Sequence, residues 1–391
     1  MREEFDVAVV GAGPAGTSAA YVLASSGVSV AIVEKARLPR YKTCGGGLLY
    51  RAVRSLPVGI SPVIEREFRS VQMILSPRLR FEVHRPSPIV TMTMRDALDH
   101  LLVEAAAGKG ATVLQARAVT DLQTTSDRVE LKTDAGAIAA KFVIAADGAG
   151  STIAKLAGFG DGRFMVPALE CEIEVSPESF EQHATTARFD FDRIPFGYAW
   201  VFPKRSHLSV GVLSLKPEAV KLHEVLDDYL RRLSIRPLTI HRHGYVIPLS
   251  PRSAGFARSR VLLSGDAAGF ADPVTAEGIT FAVRSGQLAA RAIVEGKLQV
   301  LVVEKTYEQL VEQFILPELR IARRLAKLLY FHPTARDAIF AMFGPRLTEA
   351  MTRIVTGEST YSETVPQIVI PRYSEGSRRP VASEIPRSTS G

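Results

Sequence analysis

The sequence predicts an α/β fold: a Rossmann-type dinucleotide-binding domain interleaved with an antiparallel-sheet domain, plus a helical C-terminal extension. Three observations predict it. Near the N-terminus an apolar strand runs into a glycine-rich turn and a small-residue helix, period-two patterning recurs within 71–93 and 166–254, and helical spacing takes over from 317. With 391 residues, 46% hydrophobic and 23% charged, the chain can bury one large core or two moderate ones.

The first element is Phe5 to Val10, a buried parallel strand that enters Gly11-Ala12-Gly13-Pro14-Ala15-Gly16 and is followed by a helix expected over Thr17 to Ser25. Gly11 permits the tight turn, Gly13 lets backbone N–H groups approach a pyrophosphate, and Gly16 lets helix and strand pack closely, with the helix N-terminus facing the anion. A second strand, Val28 to Val33, ends at Glu34, whose carboxylate suits the hydroxyls of an adenosine ribose and disfavours a 2′-phosphate. With Ala15 and Lys35 beside them, these residues predict an adenine dinucleotide site. Next come a basic pair, Arg40 and Lys42, then Cys44 and Gly45-Gly46-Gly47. A triple glycine packs no side chains, so it is expected as a loop whose backbone passes close to something flat or bulky. A flexible linker is the alternative, disfavoured because the loop directly follows the ribose strand.

Strands at VQMIL, LRFEVH and IVTMTM, within Val71 to Met94, leave the nucleotide domain; a helix from Arg95 to Ala107 and a strand at Thr112 to Gln115 return to it. A meander of Val129 to Thr133, Ala137 to Ala140 and Phe142 to Ala146 ends on Asp147, a carboxylate at the carboxyl edge of the parallel sheet, with a helix starting at Ser151. Five apolar segments between 166 and 250, interrupted by a helix over Pro217 to Leu233, form the second sheet. The stretch from Arg260 to Ile279 is a short strand ending at Asp266, a turn at Pro273 and a long helix from near Gly278 to about Val294. The expected domains are therefore 1–70, 94–165 and 255–316 for the nucleotide, 71–93 and 166–254 for the substrate, and 317–373 as the helical region. The polar, aperiodic tail 374–391 is expected to be disordered.

Net charge is +7, from 48 basic and 41 acidic residues, which favours anionic substrates or a membrane surface. Aromatic residues do not interleave with basic clusters, so no nucleic acid is expected. Two cysteines, Cys44 and Cys171, exclude a disulfide scaffold or a cysteine-only metal site, so no metal is expected, and they fit a reducing compartment. The Met-Arg-Glu-Glu opening and the lack of a long apolar run point to a cytoplasmic protein, peripheral on a membrane at most. In the extension, Arg320, Arg323, Arg324 and Lys327 share one helical face. That face either belongs to an ordinary capping helix or docks on anionic lipid.

Taken together, GAGPAG, EKARLPRYKTCGGG, MRDALDHLL, ADGAGS and GDAAGFADPVTAEGI resemble FAD-containing oxidoreductases of the p-hydroxybenzoate hydroxylase-like superfamily. PRYKTCGGG, PFGYAWVFP and RIVTGESTYSET make the chain most similar to the geranylgeranyl reductase family. The resemblance implies FAD, with Gly11, Gly13 and Gly16 at the pyrophosphate, Glu34 at the ribose and Arg95 on the helix edge lining the cofactor. Asp266 would hold the ribityl chain or pyrophosphate side, and Pro273, Gly278 and Ile279 would flank the isoalloxazine ring. A helix starting at Gly278 would aim its positive end at the ring and raise its reduction potential. The family commonly has Gly-Glu-Gly-Ile where this chain has Ala276-Glu277-Gly278-Ile279, so the loop turns on whether position 276 needs a positive φ.

The implied activity is an FAD-dependent reductase that saturates isolated double bonds of a prenyl lipid or prenyl diphosphate. Phe196, Tyr198, Trp200 and Phe202 alternate, so on a strand they share a face: either the packed face of a sheet or, over the flavin, the wall of a lipid-shaped pocket. The second is preferred, because the chain's only tryptophan lies in that stripe. Gly46 and Gly47 join them on the substrate side, and Cys44 and Gly45 on the cofactor side. An isolated alkene has no carbonyl to polarise it, so hydride transfer needs a matching proton donor. Cys44 is the expected acid, with ordered water or Tyr198 as the fallback, against the reading of Cys44 as a small packed hydrophobe or a loop-shaping residue. There is no second GxGxxG unit, which leaves NADPH or a ferredoxin-type carrier as electron donor. A flavin monooxygenase on the same scaffold and a non-catalytic membrane-associated flavoprotein are the alternatives.

Overall fold

The structure, a computed structural model, describes residues 2–369. The tail expectation for 374–391, and the end of the helical region 317–373, lie outside the described residues.

The strand Arg2–Val10 lies at the centre of a parallel array, between Gly136–Ala145 and Val30–Val33, with Thr112–Leu114 and Val261–Leu263 outside them. Val7 to Val10 and Val30 to Val33 are buried throughout, the continuous apolar pattern of a sheet covered on both faces. Residues 137–146, expected as two strands of a meander, form one strand over Gly136–Ala145. The polar residue that reads as a break, Lys141, sits exposed on that strand with Nζ 2.8 Å from Asp6 Oδ1. A further strand that the sequence left unassigned, Val119–Thr124, pairs antiparallel with Val129–Thr133. The first helix runs over Pro14–Ser25 and so starts three residues earlier than expected, with proline in the first turn, where its preset φ and missing N–H suit a helix start.

The second sheet has seven strands in the order Thr239–Pro248, Met165–Glu174, Leu208–Ser214, Gly197–Pro203, Ala187–Asp190, Ser70–Ser76 and Leu79–His84. Its period-two pattern separates two faces. Cys171, Ile173, Val201, Val210 and Val212 cluster with Phe180, Leu226, Tyr229 and Leu230 of the helices Pro177–His183 and Leu222–Arg232. Directly opposed residues on the other face form rows across the strands: Tyr198, Leu213, Ala168, Tyr245; then Trp200, Gly211, Glu170, His243; then Phe202, Ser209, Glu172, His241. Residues 89–94, expected to lie with 71–84, instead supply Val90–Thr93 to a three-stranded sheet with Gly47–Leu49 and Ile64–Phe68. All four residues of that strand are buried, which suits a central strand.

Helices Val300–Phe314, Leu316–Phe331, Pro333–Thr356 and Tyr361–Val369 form the C-terminal region. The RIVTGESTYSET stretch docks it against the first domain. Tyr361 donates its hydroxyl to Asp272 Oδ2 at 2.9 Å and its backbone N–H to Glu318 Oε2 at 2.7 Å, while Arg51 pairs with Asp272 at 2.5 Å. Among the described residues no helix is long and apolar enough to cross a membrane.

Candidate functional site

A cavity of about 700 Å³ opens where the carboxyl ends of the parallel strands, the loop 40–47, the turn 275–279 and one face of the seven-stranded sheet meet. That volume lies in the range of small-molecule and cofactor sites.

At its floor Gly11, with φ +107°, turns the chain out of the first strand. A Cβ at Gly16 would stand 2.0 Å from the Gly11 carbonyl oxygen, so only glycine admits this crossing. A Cβ at Gly13 would meet nothing nearer than Arg95 Nη2 at 3.9 Å, which leaves open space in front of the helix Pro14–Ser25. No side chain caps that helix and no acid lies in its first turn, so its positive end is free for an anion. Glu34 is buried, and its carboxylate accepts from Ala12 N–H at 2.9 Å and Ala36 N–H at 3.0 Å, tying the turn to the end of the strand Val30–Val33. The arrangement fits a dinucleotide pyrophosphate.

Cations gather beside it. Arg95 forms a two-pronged pair with Asp99, Nε to Oδ1 at 2.9 Å and Nη2 to Oδ2 at 2.8 Å, and Arg40 reaches the same carboxylate at 3.1 Å. Lys42 lies over the Tyr245 ring, and burial together with the Arg95 charge lowers its ammonium to about 8. Arg40 also lies 3.6 Å from Glu34, so three cations against the two carboxylates of Asp99 and Glu34 leave one positive charge that an anionic ligand neutralises. Opposite them, Asp266 Oδ2 accepts from the Tyr245 hydroxyl at 3.2 Å. Asp147 lines the cavity, yet its oxygens accept from Ser151 Oγ at 2.6 Å and Ile153 N–H at 3.0 Å, which makes it a cap for the short helix Thr152–Leu156. Burial raises its carboxyl above the ordinary value.

The turn before the helix Ile279–Glu295 carries its own answer on position 276. Ala276 has φ +54°, so the backbone does take the left-handed conformation there, with alanine in it. Asp272 holds the turn, accepting from Val274 N–H at 2.8 Å and donating its own N–H to the Glu277 carbonyl at 2.9 Å. Glu277 accepts from the Thr280 N–H and hydroxyl at 2.7 and 2.6 Å. One first-turn amide is thus occupied, and Gly278 and Ile279 are left at the cavity.

Tyr198, Trp200 and Phe202 form the cavity's aromatic wall, with ring centroids 6.0 and 6.1 Å apart in sequence order and Phe189 packed beside them. Gly45 and Gly47 pack directly on this wall, and Gly46 turns towards Thr93 and Lys204. A Cβ at Gly45 would stand 2.8 Å from Trp200 Nε1, and one at Gly47 would stand 2.8 Å from the Phe202 ring. Cys44 Sγ accepts from Gly46 N–H at 3.4 Å and borders the cavity. The Tyr198 hydroxyl donates to the Thr275 carbonyl at 2.5 Å, joining the aromatic wall to the turn.

Ala15, Lys35, Gly46 and the other expected residues line this one cavity, with three exceptions. Gly16 is a packing contact beneath the cavity floor. Pro273 is buried behind the turn, since the segment that reaches the cavity begins at Thr275. Phe196 leaves the stripe: the strand starts at Gly197, Phe196 has φ +55°, and its ring packs on Phe331 at 5.6 Å beneath Lys216. Sequence reasoning missed Tyr41, Glu170 and Tyr245 as lining residues. Glu170 had a readable signal, because Glu170, Glu172 and Glu174 are alternate acids on an otherwise apolar strand.

A family model described as FAD binding domain matches residues 4–210. The chain is similar to digeranylgeranylglycerophospholipid reductase 1 of Methanopyrus kandleri, 34% identical over 316 residues that cover 75% of this chain and 81% of that one. It is also similar to the chloroplastic geranylgeranyl diphosphate reductase of Arabidopsis thaliana, 29% identical over 371 residues, 88% of this chain and 79% of that one. A solved structure of a geranylgeranyl bacteriochlorophyll reductase-like protein from Thermoplasma acidophilum superposes with a TM-score of 0.76 at 22% identity, covering 96% of this chain and 98% of that one; it shares the fold.

Proposed function

The chain belongs to the geranylgeranyl reductase family of FAD-dependent oxidoreductases, and from that premise we propose that it saturates isolated C=C bonds of a geranylgeranyl or other prenyl chain. The observation that carries this reading is the continuity of one cavity from the dinucleotide cradle at Gly11–Gly13 to the wall of Tyr198, Trp200 and Phe202. An isoprenoid offers methyl and alkene faces with few polar handles, which such a wall binds. Bound FAD supplies a hydride from its reduced ring. The chain's residues do the rest: the Gly45–Gly47 backbone and the aromatic wall orient the alkene and exclude water, and Cys44 holds a proton at Sγ for the second alkene carbon. Tyr198 already commits its one proton to Thr275 O, which favours Cys44 as the donor.

NADPH or a ferredoxin-type carrier is proposed as the source of electrons. The exposed face with Arg323, Arg324 and Lys327, near the exposed ring of Phe331, supports docking on anionic lipid, where prenyl substrates reside. A monooxygenase of the same scaffold would need to stabilise an oxygen adduct. The discriminating experiment is anaerobic mixing of photoreduced protein with a panel of prenyl diphosphates, prenylated glycerolipids and quinones, with product masses read by mass spectrometry. The expected result is flavin reoxidation matched by a gain of two hydrogens per event. Reoxidation only on admitting oxygen, with a hydroxylated product, would reject the reductase reading.

A further inference from the structure

Beside the aromatic wall, the cavity lining includes a buried acidic corner that the reading above does not use. Glu170 and Glu172 alternate on the strand Met165–Glu174, so both face the cavity side of the sheet. Glu170 is 2% exposed and lines the cavity. One of its oxygens, Oε1, accepts from Ser209 Oγ at 3.2 Å, while its Oε2 and both oxygens of Glu172 are buried without a hydrogen-bond partner among the described residues. Glu172 lies 2.9 Å from His207 Nε2, and the His207 side chain is 20% exposed, so it reaches solvent. Buried Lys204 faces the pair from the hairpin end. Tyr41, Lys42 and Cys44 border the same cavity from the loop 40–47, and His243 and His241 stand opposite Glu170 and Glu172 on the neighbouring strand.

The charge count explains which acid keeps its proton. Two carboxyls side by side cannot both ionise in a buried site with one buried cation. Burial opposes the ionisation of Glu172, yet the nearby His207, 2.9 Å away, the Glu170 neighbour and the Lys204 charge hold it below the ordinary value. Burial and the Glu172 neighbour push Glu170 up to about 8. Of the two acids Glu170 holds its proton the more tightly, and Glu172 with His207 connects it to the surface.

We propose that Glu170 is the proton store of this cavity, refilled from the surface through Glu172 and His207; the proposal rests on the reductase reading above. Each saturated bond loses its π pair to two new C–H bonds, one made by the flavin's hydride with its two electrons and one by a proton. The acid at the alkene gives up that proton and regains it from the Glu170 carboxyl. Glu170 then recovers a proton from the Glu172–His207 pair, with bulk water as the final source. No oxidant or reductant beyond the flavin couple is needed.

Two readouts test this in the FAD-loaded protein. The infrared difference between wild type and Glu170→Gln, in the oxidised state, should show a carboxylic-acid C=O band at pH 7 that disappears as pH rises through about 8. Glu170→Gln should keep its flavin content and its reduction by the donor, but slow alkene saturation at least tenfold. The wild-type rate should fall above about pH 8, where the store ionises, and the variant should lose that dependence. Absence of the band at pH 7, or a wild-type rate and pH profile in Glu170→Gln, would overturn the proposal. Should Glu170→Gln not fold, Glu172→Gln carries the test: removing the neighbouring acid should move the band's loss to lower pH, and an unmoved titration counts against the pair. A wild-type protein that shows the band yet saturates no prenyl alkene rejects the reductase reading and upholds the proton on Glu170.

Discussion

Lys204 Nζ donates to the Gly45 carbonyl oxygen at 2.7 Å across 159 residues of sequence, and with a second bond to Thr93 O at 3.1 Å it pins the triple-glycine loop to the aromatic strand. The ammonium is fully buried, and burial lowers its affinity for the proton, while the Glu172 charge acts against that. A cation held this way fixes loop geometry at the cost of leaving charges stranded if it is removed. Lys204→Met should therefore destabilise the fold by about 3–5 kcal/mol in chemical denaturation. Adding Glu172→Gln should recover part of that loss, and strict additivity of the two changes would show that they do not interact.

The cradle can be tested without unfolding it. Because a Cβ at Gly13 enters open space at an unstrained φ of −83°, Gly13→Val should fold with a wild-type circular dichroism spectrum. Its branched side chain would occupy the pyrophosphate path, so FAD should be lost on gel filtration. Stoichiometric yellow protein from this variant would move the cofactor elsewhere.

The aromatic wall and its excluded member make a matched pair. Trp200→Ala should lower use of a prenyl substrate more than tenfold while leaving flavin content intact, because it removes a large apolar surface from the cavity. Phe196→Leu, which touches Phe331 and not the cavity, should stay within about twofold of wild type in the same assay. Equal losses in both would mean that the whole stripe is core.

Cys44 borders the cavity with its Sγ already accepting from Gly46 N–H. Cys44→Ala should keep FAD and its reduction by the donor, yet slow alkene saturation, and Cys44→Ser should rescue little because a hydroxyl is far less acidic than a thiol. Full activity in Cys44→Ala would move the terminal donor to another group at the cavity.

Ala276 offers a gain in place of a loss. An alanine at φ +54° carries roughly 1–2 kcal/mol of strain, partly offset because glycine loses more freedom on folding. Ala276→Gly should therefore stabilise the protein by about 0.5–1 kcal/mol, read as a higher denaturation midpoint. An equal or greater loss would mean that the alanine methyl packs well enough to outweigh the strain.

Local rules were enough for much of this protein. The strand, turn and helix from Arg2 to Ser25, the acid at Glu34 and the break at Asp266 are legible because periodicity, glycine spacing and strand ends act over a few residues. The stripe at Tyr198, Trp200 and Phe202 is legible for the same reason. Its reading failed at Phe196, where the chain takes a left-handed turn that alternation does not encode. Strand partners were beyond reach: Val90–Thr93 chose Gly47–Leu49 over the nearby strand at 79–84, a choice made by long-range burial. Which polar groups meet was decided the same way. Lys204 finds Gly45, Tyr361 finds Asp272, and Tyr245 finds Asp266, because a buried donor must find an acceptor wherever the packed domains present one. The sequence by itself determined the nucleotide cradle and the chemistry of the wall. Only the tertiary structure decided that both open into one cavity and that Glu170 lines it, since that depends on two sheets packing across the loop 40–47.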